Sequence, residues 1–123
     1  MATQEITATD WETFCQRFVD LHRGSLMTLR KIEPSGRNVE VVRDMPLIKA
    51  WMDGGECNDR LFFNFEQEGR REVIHEIIGP IHVKVREEGE GQKGLQIDAE
   101  NGSTLILFRS GKLEQLLAGL STV

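Results

Sequence analysis

Between Arg60 and Glu88 the apolar residues fall on alternate positions: Leu61, Phe63 and Phe65, then Val73 and Ile77, then Ile81, Val83 and Val85. A period of two belongs to a pleated strand, whose successive side chains point to opposite faces. Gly69 and the Gly79-Pro80 pair interrupt the pattern, so this stretch predicts three consecutive strands joined by two turns. A different period governs the start of the chain. Trp11, Phe14, Cys15, Phe18 and His22 recur at three and four and make one stripe on a helix. Thr9 followed by Glu12 fits a capping box, and Gly24 stands where a left-handed C-cap belongs. A helix is therefore predicted over about 10–23, with its stripe laid on a sheet. Residues 1–8 show no period and read as a loose tail in which Ile6 can act as a hydrophobic staple.

From Ser25 the runs turn β-like: SLMTLRKI, a Pro34-Ser35-Gly36 turn, then NVEVVRD with Val39 and Val41 facing one way, together a hairpin. Met45-Pro46 reads as a break, and Leu47 to Met52 as a separate strand without a clean polar face. DGGECND (Asp53 to Asp59) and GEGQKG (Gly89 to Gly94) read as loops. Between Leu95 and Glu100 the alternation returns, with Leu95, Ile97 and Ala99 on one side. Asn101-Gly102 is a strong hairpin signal leading into STLILFR, whose four consecutive apolar residues predict a strand buried on both faces. Ser110 can cap a short last helix striped by Leu113, Leu116, Leu117 and Leu120. The connections are too short for parallel crossovers. The fold expected is α+β in a single domain, 1–123: an N-terminal helix, an antiparallel meander of about eight short strands, and a short C-terminal helix. The meander forms either a strongly bent sheet or a partly closed barrel, since both hide edges.

Composition changes this picture only by exclusion. At 123 residues, 39% hydrophobic and 28% charged, the chain can bury one core without metals or disulfides. A net charge of −5 argues against nucleic acid, which needs a basic face. The opening segment has no apolar run of signal-peptide length, and no later run reaches the roughly 18 residues of a membrane span. A cytoplasmic protein is expected, without membrane attachment. Cys15 and Cys57 lack CxxC spacing and read as free thiols in a reducing compartment.

The order of a helix, His22-Arg23-Gly24, a strand, Arg43-Asp44-Met45-Pro46-Leu47, a meander through Gly79-Pro80 and the Asn101-Gly102 hairpin resembles a family of short bacterial proteins. The family is grouped as domain of unknown function 5335. Trp11, Phe14 and residues 44–47 carry the closest matches, over nearly the whole chain. The resemblance implies no activity and brings no catalytic residues.

Candidate chemistry is sparse. Cys15 with His22 or His75 as base would make a nucleophile, but Cys15 lies inside the apolar stripe and reads as a small hydrophobe. Asp53, Glu56, Cys57, Asn58 and Asp59 offer ligand atoms without the spacing of a calcium or zinc site, so neither a metal nor another cofactor is expected. Arg70 and Arg71 beside Lys84 and Arg86 would make a local basic spot, more simply read as charges that protect a strand. The nearest thing to a site is His75, His82, Lys84 and Arg86 around Gly79-Pro80. A two-residue hairpin there would gather all four on one face with Val73. A bulged turn would instead put Val73, His75 and Ile77 with Val83 and Val85 in the core, leaving His82, Lys84 and Arg86 in water. The second register is favoured because it keeps the apolar residues together.

Without a catalytic constellation, the expectation is a non-enzymatic binding or protein-interaction module with an unknown protein partner. The alternative is a small enzyme or small-molecule-binding barrel that uses the His75/His82 face. Apolar residues on both faces of the strands at 61–63 and 105–108 further predict a two-fold homodimer covering a patch of Phe62, Ile106 and Phe108.

Overall fold

The structure is a computed structural model, which describes residues 3–54, 59–89, 91–109 and 113–122. Its elements in order are β1 (Thr3–Glu5), α1 (Trp11–His22), β2 (Leu26–Ile32), β3 (Asn38–Asp53), β4 (Arg60–Gln67), β5 (Arg71–Ile78), β6 (Pro80–Gly89), β7 (Gln92–Ala99), β8 (Gly102–Arg109) and α2 (Leu113–Leu117). The strands form one eight-stranded sheet in the order β1-β6-β7-β8-β2-β3-β4-β5, with every pairing antiparallel. The ladder is not closed: β1 lies at one end and β5 at the other.

The expected helix is present, and all five residues of its stripe are buried, together with Val19. Gly24 has φ +87 and follows the helix as its left-handed stop. The capping box does not form, because a 3-10 turn (Ala8–Asp10) precedes α1 and places Asp10 at the cap. The Asp10 carboxylate instead accepts the Ser121 N–H at 2.6 Å. Nor are residues 3–8 a loose tail. Thr3–Glu5 add an edge strand to β6, and Ile6, 1% exposed, receives the Trp11 indole N–H on its carbonyl at 2.9 Å. Two or three ordered backbone hydrogen bonds and one buried side chain suffice to hold a segment too short to show a period.

Met45-Pro46 does not end a strand. β3 runs through it for 16 residues, pairing with β2 as far as Pro46 and with β4 from Leu47. The bend lies at Asp44, whose φ of +49 marks a bulge opposite the irregular Met27/Leu29 register. The Asp44 N–H, which leaves the ladder there, is held by Thr28 Oγ1 at 3.3 Å. One consequence is that Val42, rather than Val39 or Val41, is fully buried.

Gly79-Pro80 is not a hairpin. β5 pairs only with β4, while β6 pairs with β1 and β7 at the opposite end of the ladder. Gly79, at φ +65, gives its N–H to Asp59 O, and Pro80, which has no N–H to donate, opens β6 beside Ala99. The chain therefore turns a corner from one end of the sheet to the other. The expected 89–94 loop is also shorter, since Gln92, Lys93 and Gly94 already pair in β7. The 101–102 signal holds, with the loop one residue earlier: Ala99 pairs with Gly102.

One face of this bent sheet is the core. Met27 and Leu29 from β2, Leu61, Phe63 and Phe65 from β4, Val83 and Val85 from β6, Leu95 and Ile97 from β7, and Ile106 and Phe108 from β8 meet α1 there. Leu105 and Leu107 are only half-buried, so β8 has one buried face and not two. Leu116 is buried, and Leu117 and Leu120 pack beside it; Ser110 and the side chain of Leu113 lie outside the described residues. No helix among the described residues is long and apolar enough to cross a membrane.

Candidate functional site

β5 carries Val73, His75 and Ile77 opposite Phe65, Phe63 and Leu61 of β4, so these residues share the inner face. On β6, Val83 and Val85 are buried while His82, Lys84 and Arg86 point outward. The face assignment is that of the bulged register, although the two strands do not pair. His75 and His82 therefore lie on opposite sides, and the shared patch of four residues does not form.

His82, Lys84 and Arg86 instead belong to an ion-paired row on the outer face of β1, β6 and β7. His82 Nδ1 lies 2.8 Å from Glu5 Oε2, and Lys84 Nζ 3.3 Å from Asp98 Oδ2. Arg86 pairs with Glu88 and donates to Gln96 Oε1 at 3.1 Å. Asp98 Oδ1 also accepts from Gln96 at 2.9 Å and from Ser103 at 2.7 Å. Burial pushes the Asp98 carboxyl up, but the hydrogen bonds from Gln96, Ser103 and Lys84 and the lysine charge bring it below its ordinary value. Lys84 and Arg86 are each answered by a carboxylate, and the His82 imidazole by Glu5. The row ties neighbouring strands together.

On the inner side, His75 lines a cleft of about 120 Å³ with Lys31, Glu76, Ile77, Thr104 and Gly102. Three elements build it. β2 continues its inward alternation of Met27 and Leu29 to Lys31, where the sheet opens to solvent. β8 continues the inward set of Phe108 and Ile106 to Thr104, which is 4% exposed. β5 bends over both and sets His75 Nε2 3.2 Å from Thr104 Oγ1, sharing one hydrogen bond. Burial, and then the charge of Lys31, push the His75 imidazole below its usual value, so it is neutral near pH 7. Gly102 has φ +115, and a Cβ there would lie 2.2 Å from Ile32 O. The β7–β8 hairpin can cross the end of β2 this closely only with glycine.

Lys31 and Thr104 were not singled out by the sequence pattern, yet a signal exists: each is a polar residue continuing an inward apolar alternation at a strand end. Lys93, 4% exposed, is a third such case, with Nζ 3.9 Å from Glu87 Oε1. A wider groove of about 430 Å³ lies on the outer face, where Arg30, Arg43 and Arg109 interleave with the carboxylates of Glu40 and Asp44.

Cys15 is a free, buried thiol, which burial and then the Glu12 charge push up to about 12. His22 gives its Nδ1–H to Phe18 O at 3.1 Å and lies tilted against Phe18 and edge-on to Phe108, with ring centroids at 5.1 and 5.0 Å; burial pushes its imidazole down, only partly offset by that hydrogen bond. A thiolate is thus inaccessible at Cys15. Among the described residues no group of three His, Cys, Asp or Glu is placed to hold a metal ion; Glu56, Cys57 and Asn58 lie outside them. Compared with protein-family models, curated proteins and solved structures, the chain matches none.

Proposed function

We propose that the chain is a non-enzymatic, cytoplasmic binding module that takes a ligand group into the cleft between Lys31, His75 and Thr104. One observation carries the reading: the bend of the sheet brings a cation, a neutral imidazole and a buried hydroxyl from three separate strands to one small opening. These groups recognise by charge and hydrogen bonding. With the Ser103 hydroxyl donated to Asp98 and the Cys15 thiol buried, the Thr104 hydroxyl is the remaining nucleophile candidate, and at 4% exposed and hydrogen-bonded to His75 it is better placed to hold a ligand than to attack one. The same bend supports describing the sheet as a partly closed barrel, with the cleft at its mouth. The likeness to the bacterial family noted above belongs to this reading and adds no activity to it.

The experiment is a two-dimensional NMR screen of the labelled protein against small polar compounds. Clustered shifts at Lys31, His75, Gly102 and Thr104 are expected, with the compound recovered unchanged. Shifts confined to other surfaces, or turnover of the compound, would overturn the reading.

A second reading is favoured by a different observation. Ile74 and Ile78 are each about half exposed (53% and 50%) along the edge strand β5. Next to them, Trp51 and Phe62 stack at 4.9 Å on the outer face. We propose that this surface is where the chain pairs with a second copy, as a homodimer. The patch first expected cannot serve, because Ile106 and Phe108 are in the core, 0% and 2% exposed.

A further inference from the structure

Charge at the cleft is unequal. Two side chains lining it are charged, Lys31 from β2 and Glu76 from β5. The Glu76 carboxylate is held by Arg60 Nη1 at 3.3 Å on the outer face, whereas Lys31 has no ion pair among the described residues. The remaining elements around His75 present uncharged groups: Phe63 of β4 opposite it, Ala99 of β7, and Ser103 and Thr104 of β8. The Ser103 hydroxyl is already committed to Asp98. What remains is one positive charge without an ion-pair partner among the described residues, beside an imidazole and a hydroxyl that are hydrogen-bonded to each other, around a space of about 120 Å³.

We infer that this cleft recognises a single carboxylate group, on a small acid or on a peptide, and that its binding is linked to protonation of His75. The inference rests on the binding-module reading above and names its ligand class. A carboxylate is a monoanion that Lys31 alone can neutralise, and it is acceptor-only, which suits an ammonium and an imidazolium N–H as donors. At about pH 8, where the imidazole is neutral, phosphate is mostly a dianion and would leave one charge uncompensated beside Lys31, an unfavourable arrangement. The linkage follows from the same geometry. An anion placed between Lys31 and His75 stabilises the imidazolium against the repulsion of Lys31, so His75 takes up a proton more readily in the complex. By reciprocity, the anion then binds more tightly as pH falls through the His75 titration.

The test uses the full chain, labelled for NMR and held at constant ionic strength, with acetate as probe at about pH 6 and about pH 8, where acetate itself stays ionised. Expected are saturable shifts at Lys31, His75 and Thr104, an upward move of the His75 titration midpoint, and affinity that is weaker at the higher pH, by a factor that approaches about threefold per half pKa unit of that move as pH falls below the His75 titration. Lys31→Met should abolish the acetate response while leaving the spectrum otherwise native. A short peptide with a free C-terminus, compared with its amidated form, separates the two sources: tighter binding of the free form assigns the site to peptides, and acetate binding alone to small acids. Equal response to acetamide, unchanged acetate binding in Lys31→Met, tighter binding of phosphate than acetate, or no pH dependence would overturn the inference. If an uncharged compound from the screen occupies the cleft while acetate does not, the carboxylate assignment falls and the binding-module reading stands. If neither acts there, both fall.

Discussion

Phe18 meets both halves of the bent sheet: its ring is edge-on to Phe63 of β4 at 6.3 Å and to Phe108 of β8 at 5.0 Å, and stacks on Phe14 at 5.7 Å. Truncation would leave a cavity bounded by three aromatic rings that cannot all move in. Phe18→Ala should cost about 3–5 kcal/mol in a urea titration, and a loss below about 1 kcal/mol would show that the helix is not integral to the core. At the same scale, burial gives His22 and His75 depressed titrations, so the unfolded chain binds more protons than the folded one as pH falls below about 6.5. Their contribution to stability is complete above that pH and declines as pH falls toward the folded values. Denaturation midpoints should therefore drop between pH 7 and pH 5, and His75→Gln should flatten part of that slope. Cys15 supplies a third residue-scale measurement. With its thiol pushed up to about 12, a thiol reagent at pH 8 should react with it at the rate of unfolding and no faster.

Two glycine-like positions decide the shape of the elements, and they should respond to substitution in opposite ways. Asp44 holds a left-handed backbone that costs an ordinary residue about 1–2 kcal/mol, and its ladder-free main-chain N–H is held by the Thr28 hydroxyl. Asp44→Gly should therefore be nearly neutral, while Asp44→Val should destabilise by about 1–2 kcal/mol, measured as a shift in urea midpoint. Gly102 combines positive φ with the close approach to Ile32 O, and Gly102→Ala should cost upwards of about 1 kcal/mol and disturb the cleft resonances. The edge strand β1 is held by Ile6 as much as by its own hydrogen bonds, since Ile6 also bridges to Thr122 near the C-terminus. Ile6→Ala should lose about 2–5 kcal/mol, an outcome incompatible with a loose tail.

At the scale of the molecule, the two ends of the chain lock together. Thr7 N–H donates to Ser121 O, Ser121 N–H to Asp10, and Arg17 Nη1 to the carbonyls of Leu116 and Ala118 at the end of α2. A chain beginning at Gly24 would lose Phe14 and Phe18 from the core and the N-terminal partners of this lock. It should give the circular dichroism of an unfolded chain; a native-like spectrum would contradict the placement of α1. The open edge belongs to this scale as well. Among the described residues β5 has a strand neighbour on one side only, and its exposed isoleucines leave an apolar margin there. Light scattering after size exclusion should give a mass of two chains, reduced to one by Ile74→Lys with Ile78→Lys. A single-chain mass for the unaltered protein would count against the second copy.

Local chemistry was legible in the sequence wherever it repeats within a few residues. The helical stripe from Trp11 to His22, the stop at Gly24, the turn at 34–36 and the inward face of β5 all follow from side-chain period and glycine geometry, which neighbouring residues alone impose. The fold class was readable for the same reason. What the period does not encode is the partner of each strand. Gly79-Pro80 looks alike as a hairpin or as a corner, and Pro46 alike as an end or as part of a bulged strand; in both places the packing of distant residues decides. The cleft is of this second kind. His75 and Thr104 stand 29 residues apart and Lys31 farther still, and nothing near any of them marks it as a member of a set. They meet because the sheet bends enough to bury Phe63 and Phe108 against one helix, and the polar ends of three alternating strands are carried to the same opening.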